Sequence, residues 1–306
     1  MSQLLYALED YGLRPQRIEV IDSSMLNDYV NCPSYFYLRH ILGQLKKIFN
    51  PDRQAPLDWG TVWHRVMEVY SKTRDSTAAL VQLEPWPSTV MAETDKHGRS
   101  KARMAEIFFD YVEQFGEADA LEFDILREEQ YFDVYDEEVG LRWCGRIDGI
   151  RRRKRNRKVV VWDHKGTSKM GADYFDQYEH SFQLPGYVWA AQHMLTDPID
   201  QLMLDVVYTL KGSHDFFRRT MPYGPERLAE WVGQVKIWVK EIHFMQDNYL
   251  EQPEMWKKSY TECTRYGRCQ FADVHFAPPT RDTRLRILQR DYHEHRWDPS
   301  RGEMEG

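Results

Sequence analysis

The chain has 306 residues, 42% of them hydrophobic and 14% aromatic, enough to bury one large core or two ordinary ones. No apolar run approaches the roughly 18 to 20 residues of a membrane span, and the opening MSQLLYALEDYGLRP lacks the basic-then-apolar plan of a secretory signal, so a cytosolic protein is expected. The formal net charge of -7 excludes a generally basic nucleic-acid binder, so a polyanionic partner has to be met by a local basic surface.

Along the chain, helical periods come first. SSMLNDYVNCPSYFYLRHILGQL (23–45) opens on serines suited to capping and spaces Leu26, Tyr29, Tyr37 and Leu38 for a helix that Pro33 must interrupt. GTVWHRVMEVYSKT (60–73) and KARMAEIFFDYVEQFG (101–116) are amphipathic, the second through Met104, Ile107, Phe108, Tyr111 and Phe115. From Phe123 the period changes: FDILREEQYFDVYD, LRWCGRIDGI, VVVWDHK, LMLDVVYTL and FFRRTMPY read as strands. After Pro222 a long helix is expected from Leu228, Trp231, Val235, Trp238, Ile242 and Met245, and the last thirty residues read as an irregular polar tail. The expected organisation is a helical region over 1–120, a strand-rich core over 121–220, a helix and cysteine segment over 221–280, and a tail over 281–306. Together these would make one compact domain.

The informative stretch is GRIDGIRRRKRNRKVVVWDHKG (145–166), where acids and a lysine interrupt strand-forming residues. RRRKRNRK (151–158) carries seven basic residues in eight, and Asn156 suits a turn, so the simplest connection is a hairpin. A tip near Arg155 and Asn156 sets Asp148 opposite Asp163, with Cβ atoms about 4.5 to 5.5 Å apart, and strand parity puts Lys165 on the face of Asp163. Two adjacent carboxylates repel unless a cation lies between them. Oxygen ligands select Mg²⁺ or Mn²⁺, which polarises a phosphoryl oxygen and acidifies a bound water. The other reading is a pair of acids at a sheet edge with Lys165 as their ionic partner.

Five motifs in order, DSSMLNDYVNCPSYFYLRH, GTVWHRVMEVY, GRIDGI, VVVWDHKG and FQLPGYVWAA, together resemble the PD-(D/E)XK nucleases and, within them, the RecB-like exonuclease branch that includes AddB and the CRISPR-adaptation nucleases. The resemblance implies an α/β, restriction-endonuclease-like fold: a mixed sheet flanked by helices, with an N-terminal helical region and a C-terminal closing helix. It implies Asp148, Asp163 and Lys165 as the catalytic centre, with Gln183 and Tyr187 as a QxxxY motif beside it. His64 from a lid helix and the His164 backbone carbonyl join Asp148 and Asp163 as implied metal ligands. The implied activity is metal-dependent DNA hydrolysis, from an end, in phage recombination or repair, with partner proteins of those processes. A non-catalytic DNA-binding or scaffold subunit is the alternative. Glu129, on the strand before Asp148, is a candidate support for the site.

Arg152, Arg153, Lys154, Arg155 and Arg157 lie about 15 to 25 Å along the hairpin from the acids and cannot take part in the chemistry. Seven like charges in a row repel, so the tip either grips a DNA backbone or is a solvated turn. The four cysteines, Cys32, Cys144, Cys263 and Cys269, suit thiols or metal ligands better than disulfides in the cytosol. Relatives hold an iron-sulfur cluster with one cysteine before the core and three after it. Here Cys32, Cys263 and Cys269 with His275 form the corresponding quartet for a cluster or Zn²⁺, the alternative being leftover buried thiols. Cys144 reads as packing.

Overall fold

The computed structural model describes residues 7–47, 51–85, 100–137, 141–265 and 267–296. In chain order the elements are β1 (Val20–Ile21), α1 (Ser23–Asn31), α2 (Pro33–Phe36), β2 (Gln44–Lys46), α3 (Pro51–Thr73), α4 (Ser76–Val81), α5 (Lys101–Tyr111) and α6 (Glu117–Glu122). Then come β3 (Phe123–Asp136), β4 (Leu141–Arg153), β5 (Val159–Thr167), α7 (Asp176–Glu179), α8 (Gln183–Met194), β6 (Ile199–Thr209) and β7 (His214–Pro222). The chain continues through α9 (Pro225–Tyr249), α10 (Ala272–Phe276), α11 (Arg281–Asp291) and β8 (Tyr292–Glu294). None of the described helices is long and apolar enough to cross a membrane.

The chain divides into two compact units, each assembled from separate stretches. The first takes 1–49, 133–145 and 232–306. In it β1 runs parallel to the start of β4, pairing Val20 with Arg142 and Ile21 with Trp143. Helix α1 starts where the Asp22 carboxylate accepts the Met25 N–H at 2.7 Å, so the aspartate caps the helix and the serines after it begin the first turn. Extended backbone at Cys32 (φ -159) ends that helix, and Pro33 restarts it as α2, whose chain runs on into a π-helical turn over Tyr37–Ile41. An aromatic core forms here, with Tyr37 5.0 Å and Tyr29 6.4 Å from Trp256 between ring centroids. The segment after residue 280 is not an irregular tail. Thr280 caps α11 by accepting the Thr283 N–H, and β8 pairs antiparallel with β2. The polar exposed face of α11 hides a pattern that only Leu285 and Leu288 reveal, both of them buried. Residues 297–306 of the expected tail lie outside the described residues.

The second unit takes 50–132 and 146–231. Its sheet is mixed: β4 and β5 are antiparallel, β5 and β6 parallel, β6 and β7 antiparallel, and β3 pairs with β4. The parallel crossover from β5 to β6 is made through α8, as a parallel pair requires. Val159, Val160, Val161 and Trp162 are all buried, which is why VVVWDHK reads as an unbroken apolar run ending in charge. Helix α3 packs on β5 and, through Trp63, Val66 and Met67, shares a core with Met104, Ile107 and Phe108 of α5.

Candidate active site

Every predicted member of the catalytic centre falls in the second unit. The β4–β5 ladder runs from Arg152↔Val159 through Gly149↔Trp162, the register expected from a tip near Arg155 and Asn156. One step further Asp148 comes opposite Asp163. There the ladder gives way to a side chain: the buried Asp148 carboxylate accepts the His164 N–H at 2.7 Å. The strands can approach this closely because residue 149 is glycine. A Cβ there would come within 3.1 Å of a Glu128 carboxylate oxygen and 3.2 Å of the Trp162 Cβ.

Asp163 is fully buried, and its two oxygens lie 2.9 and 2.8 Å from the Lys165 ammonium. Burial pushes the Asp163 carboxyl up, the Lys165 charge opposes that, and the neighbouring Asp148 adds to it. Burial works against the Lys165 ammonium, but Asp163 and then Asp148 outweigh it and raise its pKa. Asp148 goes the other way: burial would raise it, and His64, Lys165 and His164 hold it below the usual carboxylate range.

Helix α3 brings His64 Nδ1 to 3.4 Å from Asp148 Oδ2 and 3.7 Å from Glu129 Oε1. Burial would lower the imidazole pKa, but Asp148 and then Glu129 raise it to about 10. His64, Glu129 and Asp148 each offer a ligand atom within 4.8 Å of the others. One imidazole nitrogen and two carboxylates suit a hard or borderline divalent ion such as Mg²⁺ or Mn²⁺. Glu129 is thus a direct member of the cluster rather than a distant support, and Asp163 stands beside it on Lys165. Glu129 has φ +49 within β3, a left-handed kink that an L-residue adopts only where its surroundings impose it, and its carboxylate also lies 3.6 Å from Arg146. His164 stands on β5 between Asp163 and Lys165, with its N–H on Asp148. Gln183 donates to the Tyr187 hydroxyl at 2.8 Å across the first turn of α8, and the Tyr187 ring meets the Phe132 ring edge-on at 5.9 Å.

The basic tip is matched by acids. Arg152 lies 2.8 Å from Asp197, Arg153 pairs with Glu122, Lys154 and Arg157 lie 3.8 and 3.2 Å from Asp124, and Lys158 lies 3.9 Å from Asp200. The repulsion that called for a DNA phosphate is therefore relieved within the protein, while Arg155 at the apex is exposed. In the first unit, no three of Cys32, Cys263, Cys269 and His275 bring ligand atoms within 4.8 Å of one another. Cys32 accepts the Ser259 N–H at 3.5 Å, His275 Nε2 lies 3.1 Å from the Ser34 hydroxyl, and none of the four cysteines is in a disulfide. Cys144 is buried 3.8 Å from the Ile21 carbonyl, as packing requires.

The sequence reading missed a buried charged cluster around His164. It comprises Asp205, Arg218, Asp119 and Tyr111, with Arg151 stacked 3.9 Å over the Trp162 ring and 3.5 Å from Glu128. The signal was present, because Asp205 interrupts LMLDVVYTL as Asp163 interrupts VVVWDHK.

A mixed α/β sheet that presents an acid pair and a lysine from neighbouring strands defines a nuclease class, and the comparisons agree. Residues 23–274 match the PD-(D/E)XK nuclease superfamily, and the chain belongs to it. A solved structure of a candidate exonuclease from Eubacterium rectale is similar in fold, with a TM-score of 0.54 at 12% identity over 92% of this chain and 94% of that one. The crystal structure of SSO0001 aligns at a TM-score of 0.36 and 14% identity over 89% of this chain and 93% of that one. No curated protein matches the sequence.

Proposed function

We propose that the protein hydrolyses DNA phosphodiester bonds with Mg²⁺ or Mn²⁺ held by His64, Glu129 and Asp148, and that it works from a DNA end. The observation that carries this reading is the convergence of those three donors beside the Asp163–Lys165 pair. The ion supplies Lewis acidity at a phosphoryl oxygen and lowers the pKa of a bound water. The chain's own residues do the rest. Lys165, whose ammonium Asp163 holds at 2.8 and 2.9 Å, is placed to act as a fixed positive charge at the developing phosphorane oxygens. Asp163 anchors that ammonium and adds a carboxylate to the metal-facing side. Asp148, fixed by the His164 N–H, keeps its orientation as a ligand. The RecB-like motif set supports action from an end in recombination or repair.

The test is labelled linear and closed-circular DNA incubated with Mg²⁺, Mn²⁺ or chelator. Degradation of the linear form alone, abolished by chelator and reduced at least about a hundredfold in Asp148→Ala, Asp163→Ala and Lys165→Ala, is the expected result. Undiminished cleavage by any of the three folded variants would sink the assignment, and cutting of the circular form would make the enzyme an endonuclease.

A further inference from the structure

His164 stands between the two residues of β5 that carry the proposed chemistry, and its side chain takes the other face of the strand, where its ring lies edge-on to the His64 ring at 6.3 Å. Strand alternation turns it away from Asp163 and Lys165, and its Nδ1 lies 3.3 Å from Asp205 Oδ2, a close contact whose geometry falls short of a hydrogen bond. His164 pairs with Asp205 on β6, and Asp205 pairs with Arg218 on β7, so the three side chains form one line across three strands. Asp205 is fully buried. Its oxygens accept from Trp162 Nε1 at 3.2 Å, from Arg218 Nε at 3.1 Å and from the Tyr111 hydroxyl. Arg218 is itself fixed by two bonds to Asp119 at 2.7 and 2.8 Å and by the Phe115 ring 3.6 Å from its guanidinium carbon.

A buried ion cluster of this kind is weak evidence for stability, because desolvation offsets most of the attraction, and apolar residues of similar volume often serve as well. What it supplies is orientation. At its other end His164 donates its backbone N–H to Asp148, at the point where the β4–β5 ladder stops. Side chain and peptide share one Cα, so holding the imidazole from behind limits how far that N–H can turn.

We propose that Asp205 is a positioning residue for the metal site. Arg218, Tyr111 and Trp162 hold its carboxylate, the carboxylate holds the His164 imidazole, and the His164 peptide thereby keeps Asp148 within reach of His64. The role given to Asp148 rests on the nuclease reading above, whereas the coupling from Asp205 to the His164 peptide can be observed without it.

Asp205→Asn removes the charge and keeps the shape. In the folded variant kcat at saturating Mn²⁺ and DNA should fall at least about tenfold, since small misplacements of reacting groups are costly, with KM for DNA unchanged. The His164 backbone amide resonance of the metal-free protein should move as well. His164→Leu keeps the volume and the N–H but breaks the contact, and should lower kcat by a similar factor. A purely structural role would instead lower the melting temperature and leave both kcat per folded molecule and the amide resonance in place. Folded Asp205→Asn with wild-type kcat and an unmoved amide overturns the proposal, and if that variant does not fold, wild-type kcat in His164→Leu does so. Should the wild-type protein cleave no DNA, the nuclease reading fails on its own, and the amide resonance still decides the coupling: moved by Asp205→Asn supports it, unmoved overturns it.

Discussion

At the scale of single residues, the charge state of His64 governs how the site loads. In the metal-free site Asp148 and Glu129 overcome burial and raise its pKa to about 10, so the ring carries a proton at neutral pH. A metal needs the neutral imidazole, so binding must displace that proton. The expected outcome is a Mn²⁺ affinity that rises by about tenfold per pH unit between about pH 6 and 9. Calorimetry in buffers of different ionisation enthalpy should register one proton released. His64→Gln should flatten the profile, and a pH-independent affinity in the native protein would remove His64 from the ligand set. The same shift fixes a stability trend for the metal-free protein. A folded pKa raised above the ordinary 6.5 contributes stability that is complete below that value and is lost as pH rises through about 10. The melting temperature should therefore decline over that window, and it should decline less in His64→Gln.

At the scale of elements, β3 and the β4–β5 hairpin show what the sequence made legible. The hairpin register could be read because a turn residue inside a charge run, flanked by apolar strands, leaves one simple pairing, and parity then sets Asp148, Asp163 and Lys165. The partners of the tip could not be read: Glu122, Asp124, Asp197 and Asp200 come from α6, β3, the approach to β6 and β6 itself, and only the folded sheet brings them there. Exposed pairs of this kind contribute about 0 to 1 kcal/mol each. Serine at Lys154, Arg155 and Arg157 should thus cost little stability and leave the salt slope of DNA binding unaltered. A slope reduced by about one per residue removed would make the tip a phosphate grip after all. The kink at Glu129 was also invisible, since nothing in REEQYF marks a positive φ at a glutamate. Its strain yields a paired comparison: Glu129→Gly and Glu129→Ala both lose the carboxylate and should both weaken Mn²⁺ binding. Glycine tolerates φ +49 without strain, so the Gly variant should be more stable than the Ala variant by about 1 kcal/mol in denaturant titration. The reverse order would mean that β3 relaxes to an ordinary strand once the ligand is removed.

At the scale of the whole molecule, the two metal questions raised by the sequence separate by unit. The order of helix, strand and helix was legible from hydrophobic period alone, because periods of 3.6 and 2 leave different marks on a chain. The division into units was not, because each is assembled from stretches far apart in sequence. The cysteine quartet was suggested by spacing, but spacing does not fix where side chains point: in the first unit Cys32 and Cys263 both meet the Ser259 backbone, while His275 turns to Ser34. Two sets of donors converge among the described residues, both in the second unit: the buried-to-half-buried His64, Glu129 and Asp148, and the more exposed Glu106, Asp110 and His214. An ion that binds the folded state alone stabilises it by mass action, by about 2.7 kcal/mol at a hundredfold excess over Kd. Calorimetric melts with increasing Mn²⁺ should therefore show a rising midpoint for the transition that unfolds the second unit. Asp148→Ala should abolish the rise, and Cys263→Ser should leave it intact. Elemental analysis of anaerobically purified protein should find no zinc in stoichiometric amount, and the buried Cys32, Cys144 and Cys263 should be open to alkylation only after unfolding. A brown protein would place an iron-sulfur cluster on the cysteine quartet, and a Mn²⁺ response lost in Cys263→Ser would move that ion to the first unit.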